Sequence, residues 1–200
     1  MPSRSHNDAG IVVPLRSFTL GKARLAEVLS ESEREALARS MAECVVNAAA
    51  SRPLVIVSSA GEVVAWARDR GCDVVDDPGS LDAAAAAGRS WALDRGLARY
   101  AVVHADLPLA RSLDPVVGHG DAPVAVIVPD HRDDGTPVIS LPTAVEFTFA
   151  YGPGSAARHA DEARRRSLTV QIVHDRTLAF DVDVAADLRT LDTLRGTPTP

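Results

Sequence analysis

Gly10-Ile11-Val12-Val13-Pro14-Leu15 is an apolar run of strand length, followed at once by the polar, glycine-containing segment Arg16-Ser17-Phe18-Thr19-Leu20-Gly21-Lys22. An apolar run without alternation reads as a strand buried on both faces, which requires helices above and below its sheet. Working outward, Ser30 with Glu33 three residues on reads as a capping box, and Leu37, Met41 and Val45 then recur at helical spacing with Cys44 beside them. Leu54–Val57 reads as a second strand, Gly61–Arg70 as a helix closed by Gly71, and Asp73–Val75 as a short strand. After the Asp77-Pro78-Gly79-Ser80 turn comes an Ala-rich helix over Leu81–Leu97 and a strand over Tyr100–His104. A short helix near Asp114–Gly118 leads to the strands Val124–Val128 and Val138–Leu141, with the charged loop Asp130–Gly135 between them. The expected remainder is a helix over Ala156–Arg166, strands over Thr169–Val173 and Leu178–Val182, and a last helix over Ala185–Leu194.

Strand and helix alternate through the first 130 residues, the pattern of right-handed βαβ units, and the later strands crowd together as an antiparallel excursion would. The expected fold is therefore α/β, one domain over residues 1–200, with residues 1–9 and 196–200 frayed. The chain has 200 residues, 46% hydrophobic and 24% charged, a size and balance suited to one core. A net charge of −6 argues against a nucleic-acid partner, which calls for a basic face. No apolar run reaches membrane-spanning length and the first ten residues are polar, so a cytoplasmic protein without a signal peptide is expected. Two cysteines, Cys44 and Cys72, exclude a disulfide framework or a cysteine-rich zinc site.

Of 21 basic residues only Lys22 is a lysine. Arginine substitution across a G+C-rich genome accounts for the bias, and a lysine that persists against it suits a place where a compact ammonium is needed. In an open α/β sheet ligands gather at the carboxyl ends of strands, and three constellations fall there. Leu15–Leu25, with Lys22 and Arg24, is either a phosphate cradle or an ordinary strand-to-helix connection; it lacks the GxxxxGK[ST] of a P-loop. Asp106, in Ala105-Asp106-Leu107-Pro108, is a candidate ligand for a hard cation such as Mg²⁺ or else a turn cap. Asp181 and Asp183 share one face of their strand by alternation, either as a metal pair or as a strand end feeding a capped helix. Asp134-Gly135-Thr136-Pro137 and Gly152-Pro153-Gly154-Ser155 read as binding loops, the second offering Ser155 and free backbone N–H groups at a helix N-terminus. Ser155 and His159, one turn apart, are a poor hydrolytic pair because no G-x-S-x-G elbow is present.

Taken in order, IVVPLRSFTLGKARL, ADLPL at Ala105–Leu109, DGT at Asp134–Thr136, YGPGSAARH at Tyr151–His159 and FDVDVAADL at Phe180–Leu188 resemble the phospholactate/phosphoenolpyruvate guanylyltransferases of deazaflavin cofactor biosynthesis. The resemblance implies a Rossmann-like three-layer α/β/α sandwich with a mixed, mostly parallel sheet, of the nucleotide-diphospho-sugar transferase type. It implies transfer of GMP from GTP to phosphoenolpyruvate or 2-phospho-L-lactate with release of pyrophosphate. It places Leu15, Lys22, Arg24, Asp82 and Asp106 on the nucleotide, with Lys22, Arg24 and Asp106 catalytic. It also places Thr136, Gly152 and Ser155 on the acceptor acid, and Asp106, Asp181 and Asp183 on Mg²⁺. The chain departs from the family pattern at Pro137, where asparagine is usual, at Asp82, again in place of asparagine, and at Val184-Ala185, where Thr-Pro is common. Asp82 could read the guanine N1–H and N2–H pair or cap the helix behind it. A homodimer is carried as an expectation. The other readings are a molybdopterin nucleotidyltransferase, whose glycine-rich LAGGxSxRMGxDK-type loop is missing, and a non-catalytic binder of GTP or a phospho-acid.

Overall fold

The computed structural model describes residues 9–196. Its seven strands form one sheet in the order β3-β2-β1-β4-β6-β5-β7. These are β1 (Ala9–Pro14), β2 (Leu54–Val57), β3 (Asp73–Val75), β4 (Arg99–Val103), β5 (Val124–Val128), β6 (Val138–Pro142) and β7 (Thr169–Ile172). β6 runs antiparallel to both β4 and β5, and every other neighbouring pair is parallel. The six helices are α1 (Glu31–Ala48), α2 (Gly61–Asp69), α3 (Leu81–Asp94), α4 (Asp114–Val117), α5 (Ser155–Arg165) and α6 (Ala185–Gly196).

The unalternated β1 run has its expected consequence. Ile11 and Val13 face one layer with Ala38, Ala42 and Val45 of α1, Val63 and Trp66 of α2, and Val116 of α4. Val12 faces the other, with Ala84, Ala85 and Trp91 of α3 and Ala160 and Ala163 of α5. This is the three-layer α/β/α arrangement, and its core is aliphatic because few aromatic residues are present to fill it. Where α3 crosses β1 the approach is so close that a Cβ on Gly88 would overlap the Val12 methyl groups. Among the described residues no helix is long and apolar enough to cross a membrane.

The Ser30–Glu33 capping box forms in full at the start of α1. Three expectations are corrected. α3 ends at Asp94 rather than Leu97, because Gly96 adopts φ 66° and stops the helix with a left-handed residue. Leu178–Val182 is not a strand: Asp175 accepts hydrogen bonds from Thr177 and Leu178 and turns the chain away from the sheet. Phe180 and Val182 instead bury against Leu25, Met41 and Leu191 in a satellite cluster. Of the ends expected to fray, 1–8 and 197–200 lie outside the described residues, whereas Ala9 is buried at the start of β1 and Gly196 closes α6.

Candidate active site

The carboxyl ends of β1 and β4 lie side by side at the centre of the sheet. The loop after β1 is anchored from below: Phe18 is fully buried with its ring edge-on to Trp66 at 5.3 Å, and Ser17 Oγ donates to Glu62 Oε1 at 2.7 Å. From this anchored loop Lys22 emerges in a left-handed conformation, φ 60° and ψ 36°. A non-glycine residue there carries strain of about 1–2 kcal/mol. That conformation delivers Nζ to Asp106 Oδ2 at 2.6 Å and to Asp183 Oδ1 at 2.9 Å. The Lys22 side chain is only 10% exposed. Burial opposes its charge, but Asp106 and Asp183 outweigh it, so the ammonium is held above its ordinary pKa and stays protonated.

Asp106 follows β4 as expected. Burial works against its charge, but Lys22 and then His104 hold its carboxyl below the usual range. Asp181 behaves oppositely: burial and the negative charges of Asp106 and Asp183 raise it. Three carboxylates are therefore in electrostatic contact, although Asp181 and Asp183 sit on a segment without regular secondary structure and not on the expected strand. Asp181 Oδ1 also lies 3.2 Å from His131 Nδ1. Asp106 Oδ1 and Asp181 Oδ1 are buried without a hydrogen bond. An all-oxygen, carboxylate-rich set in which Asp106 Oδ1 has no partner suits a hard divalent cation, although His131 and Arg132 already reach Asp181 Oδ1. Among the described residues no three ligand-type side chains already close on one point, and Lys22 bridges two of the carboxylates.

Two cavities lie along the loop after β1, and Lys22 lines the first of them. One of about 290 Å³ is lined by Gly21, Lys22, His104 and Asp106 together with Pro14, Leu15, Arg16 and Leu81. The other, of about 390 Å³, shares those last four and adds Val57, Asp77, Gly79 and Ser80. Leu15 thus lies in the wall common to both. Arg16 was not among the expected contacts, yet it lines both cavities and ties the β1 loop to the Asp77–Gly79 turn through Asp77 Oδ2 at 3.1 Å and the Gly79 carbonyl. The signal was its place as the first cation after β1. Arg24 lies exposed in the 3₁₀ turn Ala23–Leu25 and lines neither cavity.

Asp82 does not cap α3; Ser80 does, accepting from Ala83 N at 3.1 Å. Asp82 Oδ1 accepts the backbone N–H of Tyr151 at 2.8 Å, and Asp82 lines neither cavity. It pins the loop before α5 to the wall of the groove.

Thr136 and Ser155 come together, Oγ1 to Oγ 3.0 Å apart and each 1% exposed. Gly135 is required beside them, since a Cβ there would reach within 2.5 Å of Asp130 Oδ2. Gly152 sits at φ 105°, where side chains are strained. Three of the N–H groups expected to be free at the start of α5 are committed within the protein. Gly154 N donates to Asp134 Oδ1 at 2.8 Å, Ser155 N to Gly152 O at 3.0 Å, and Ala156 N to Asp134 O at 3.1 Å. Sequence spacing could not reveal that Asp134, twenty residues back, reaches this helix. Ser155 and His159 are not a hydrolytic pair: the ring contacts Thr136 instead, Nδ1 to Oγ1 at 3.1 Å.

The chain matches, over residues 9–197, the family described as Guanylyl transferase CofC like. It belongs to that family. A phosphoenolpyruvate guanylyltransferase from Sphaerobacter thermophilus is 36% identical over 189 residues, covering 90% of each chain. A 2-phospho-L-lactate guanylyltransferase from Methanothermobacter thermautotrophicus is 29% identical over 188 residues, covering 88% of this chain and 81% of that one. In fold, the chain is similar to a nucleotide-diphospho-sugar transferase candidate from Desulfovibrio desulfuricans G20, with a TM-score of 0.75 at 19% identity over 96% of this chain and 90% of that one. The expected family, fold class and nucleotidyltransferase activity therefore hold, and the missing molybdopterin-type loop agrees with the family assignment.

Proposed function

We propose that this guanylyltransferase moves GMP from GTP to a phosphorylated three-carbon acid, phosphoenolpyruvate or 2-phospho-L-lactate, and releases pyrophosphate, in deazaflavin coenzyme biosynthesis. The observation that carries the reading is Lys22, strained and buried between Asp106 and Asp183, with the Thr136–Ser155 pair at the start of α5, directly after the loop that Asp82 holds through the Tyr151 N–H. The nucleotide takes the groove formed by the two cavities, against Leu15 and Arg16. Its phosphates lie toward Lys22, and Arg24 is the more distant, exposed cation. Asp106, Asp181 and Asp183 are the residues that would hold Mg²⁺, which would offset negative charge on the α-phosphate. Thr136, Gly152 and Ser155 hold the acceptor acid.

In the reaction an oxygen of the acceptor phosphate forms a bond to the α-phosphorus of GTP. The bond from that phosphorus to the α,β-bridging oxygen breaks, and pyrophosphate leaves with the electron pair. The nucleophile is already anionic at neutral pH, so no side chain has to remove a proton. The work left to the protein is positioning and charge stabilisation, supplied by the Lys22 ammonium, whose raised pKa keeps it cationic.

The test is pyrophosphate release with Mg²⁺, GTP and a panel of phosphoenolpyruvate, 2-phospho-L-lactate and 3-phosphoglycerate. Release that depends on one of the first two acids is expected. GTP binding without release for any acid would instead favour a non-catalytic binder.

A further inference from the structure

We propose that His159 is a positioning residue that fixes the direction of a buried hydrogen-bond relay, so that Ser155 meets the acceptor as a proton donor and selects a bare anionic oxygen. The proposal rests on the reading of Thr136 and Ser155 as the acceptor subsite.

The relay begins at a group whose polarity is not negotiable. The backbone N–H of Ala150 can only donate, and it donates to His159 Nε2 at 3.0 Å. Nε2 must therefore present its lone pair, and a neutral imidazole then carries its hydrogen on Nδ1. The ring is fully buried, and burial holds its pKa at about 4, so it is neutral near pH 7. It cannot exchange its two nitrogens easily, because Phe147, Phe149 and Tyr151 pack around it with centroids 5.9, 6.0 and 4.8 Å away.

Nδ1–H faces Thr136 Oγ1 at 3.1 Å and donates to it. Thr136 Oγ1 lies between Nδ1 and Ser155 Oγ, which is 3.0 Å away. With the imidazole hydrogen accepted on one side, its own hydroxyl hydrogen goes to Ser155. The Ser155 hydrogen is then the one left over, at the last hydroxyl of a relay in which each residue is at most 1% exposed. A buried hydroxyl hydrogen without an acceptor is costly, and a ligand oxygen removes that cost. The N–H groups of Gly154, Ser155 and Ala156 are committed within the protein, so they do not compete with the hydroxyl for a ligand oxygen. A ligand presenting a carboxylate or phosphate oxygen there is matched, and one presenting its own N–H or O–H donor is not.

Two measurements test the relay. The first is the ¹⁵N spectrum of the ring nitrogens in histidine-labelled protein at neutral pH, expected to show Nδ1 protonated and Nε2 bare for His159. The second compares His159→Gln, which keeps an acceptor for the Ala150 N–H but cannot donate to Thr136, with His159→Asn, which puts an amide nitrogen where Nδ1 stood. The acceptor KM should rise about tenfold in His159→Gln, the effect of one hydrogen bond, with GTP KM within about twofold, and His159→Asn should recover most of the loss. An Nε2–H tautomer, or equal acceptor KM values in the two variants, would overturn the relay and leave the acceptor subsite standing. A rise in GTP KM in place of acceptor KM would overturn the subsite reading itself. Should the variants not fold, the tautomer in the unsubstituted protein decides.

Discussion

Replacing Lys22 separates what its side chain does from what its backbone costs. In Lys22→Ala the ammonium that lies 2.6 Å from Asp106 and 2.9 Å from Asp183 is gone, while the residue must still adopt φ 60°. Loss of one preorganised charge contact to the reacting phosphate lowers kcat by roughly two to three orders of magnitude, about 3–4 kcal/mol. Lys22→Gly loses the same ammonium but relieves the left-handed strain, so it should be more stable than Lys22→Ala by about 1 kcal/mol at the same low kcat. Lys22→Arg should recover little, because a planar fork replaces a compact point charge between two carboxylates in a site only 10% exposed. Pyrophosphate release gives kcat, and urea midpoints give stability. A kcat in Lys22→Ala within threefold of the parent would show that the ammonium does not act on the reacting phosphate. Equal stability of the alanine and glycine variants would refute the strain.

Stability should fall in two steps on acidification. His159 has a folded pKa of about 4 against an ordinary 6.5, so the unfolded chain binds more protons in that interval; its contribution is complete above pH 6.5 and lost on descending to 4. Glu162 is held at about 2 against 4.5, chiefly by its hydrogen bond from Arg166, so its contribution is complete above pH 4.5 and lost on descending to 2. Urea midpoints of His159→Gln should lack the first step and keep the second, and a parent midpoint flat from pH 6.5 to 4 would refute the first assignment. Asp82→Ala should raise the acceptor KM several-fold by releasing the Tyr151 N–H, whereas Asp82→Asn retains an acceptor oxygen and should stay near the parent. The GTP-to-ITP ratio should not move in either, and a shift in that ratio would return Asp82 to base reading. Chelation of divalent cations should abolish turnover, with Mg²⁺ restoring it, and Asp106→Ala should abolish turnover more than it weakens folding; full activity in chelator would remove the metal assignment.

The layers of the fold were legible because β1 and β2 are buried on both faces, so their sequences carry the sheet signal without help from distant partners. Leu178–Val182 misled for the complementary reason. Its apolar residues alternate and do bury, Leu178 in the main core and Phe180 and Val182 on Leu25, Met41 and Leu191, but none in a strand, and alternation reports burial without reporting a ladder. At the site, Lys22 stood out by composition and Asp106 by its strand-end position, and the structure brings them together. What sequence could not give are contacts that depend on closure across the fold. The Tyr151 N–H reaches back to Asp82, Asp134 occupies the α5 start, and Arg16 spans to the Asp77 turn. The imidazole of His159 is the same kind of case. Its role depends on which nitrogen meets Ala150, and no spacing rule encodes that.

The most direct test of the central claim follows the oxygen atoms. Phosphoenolpyruvate carrying ¹⁸O in its three non-bridging phosphate positions is turned over with GTP, and both products are examined by mass spectrometry. If the acceptor phosphate attacks the α-phosphorus, the guanylyl product retains all three labels, one of them now bridging the new diphosphate, and the pyrophosphate carries none. Label in the pyrophosphate, or pyrophosphate formed without any labelled guanylyl product, would contradict the account.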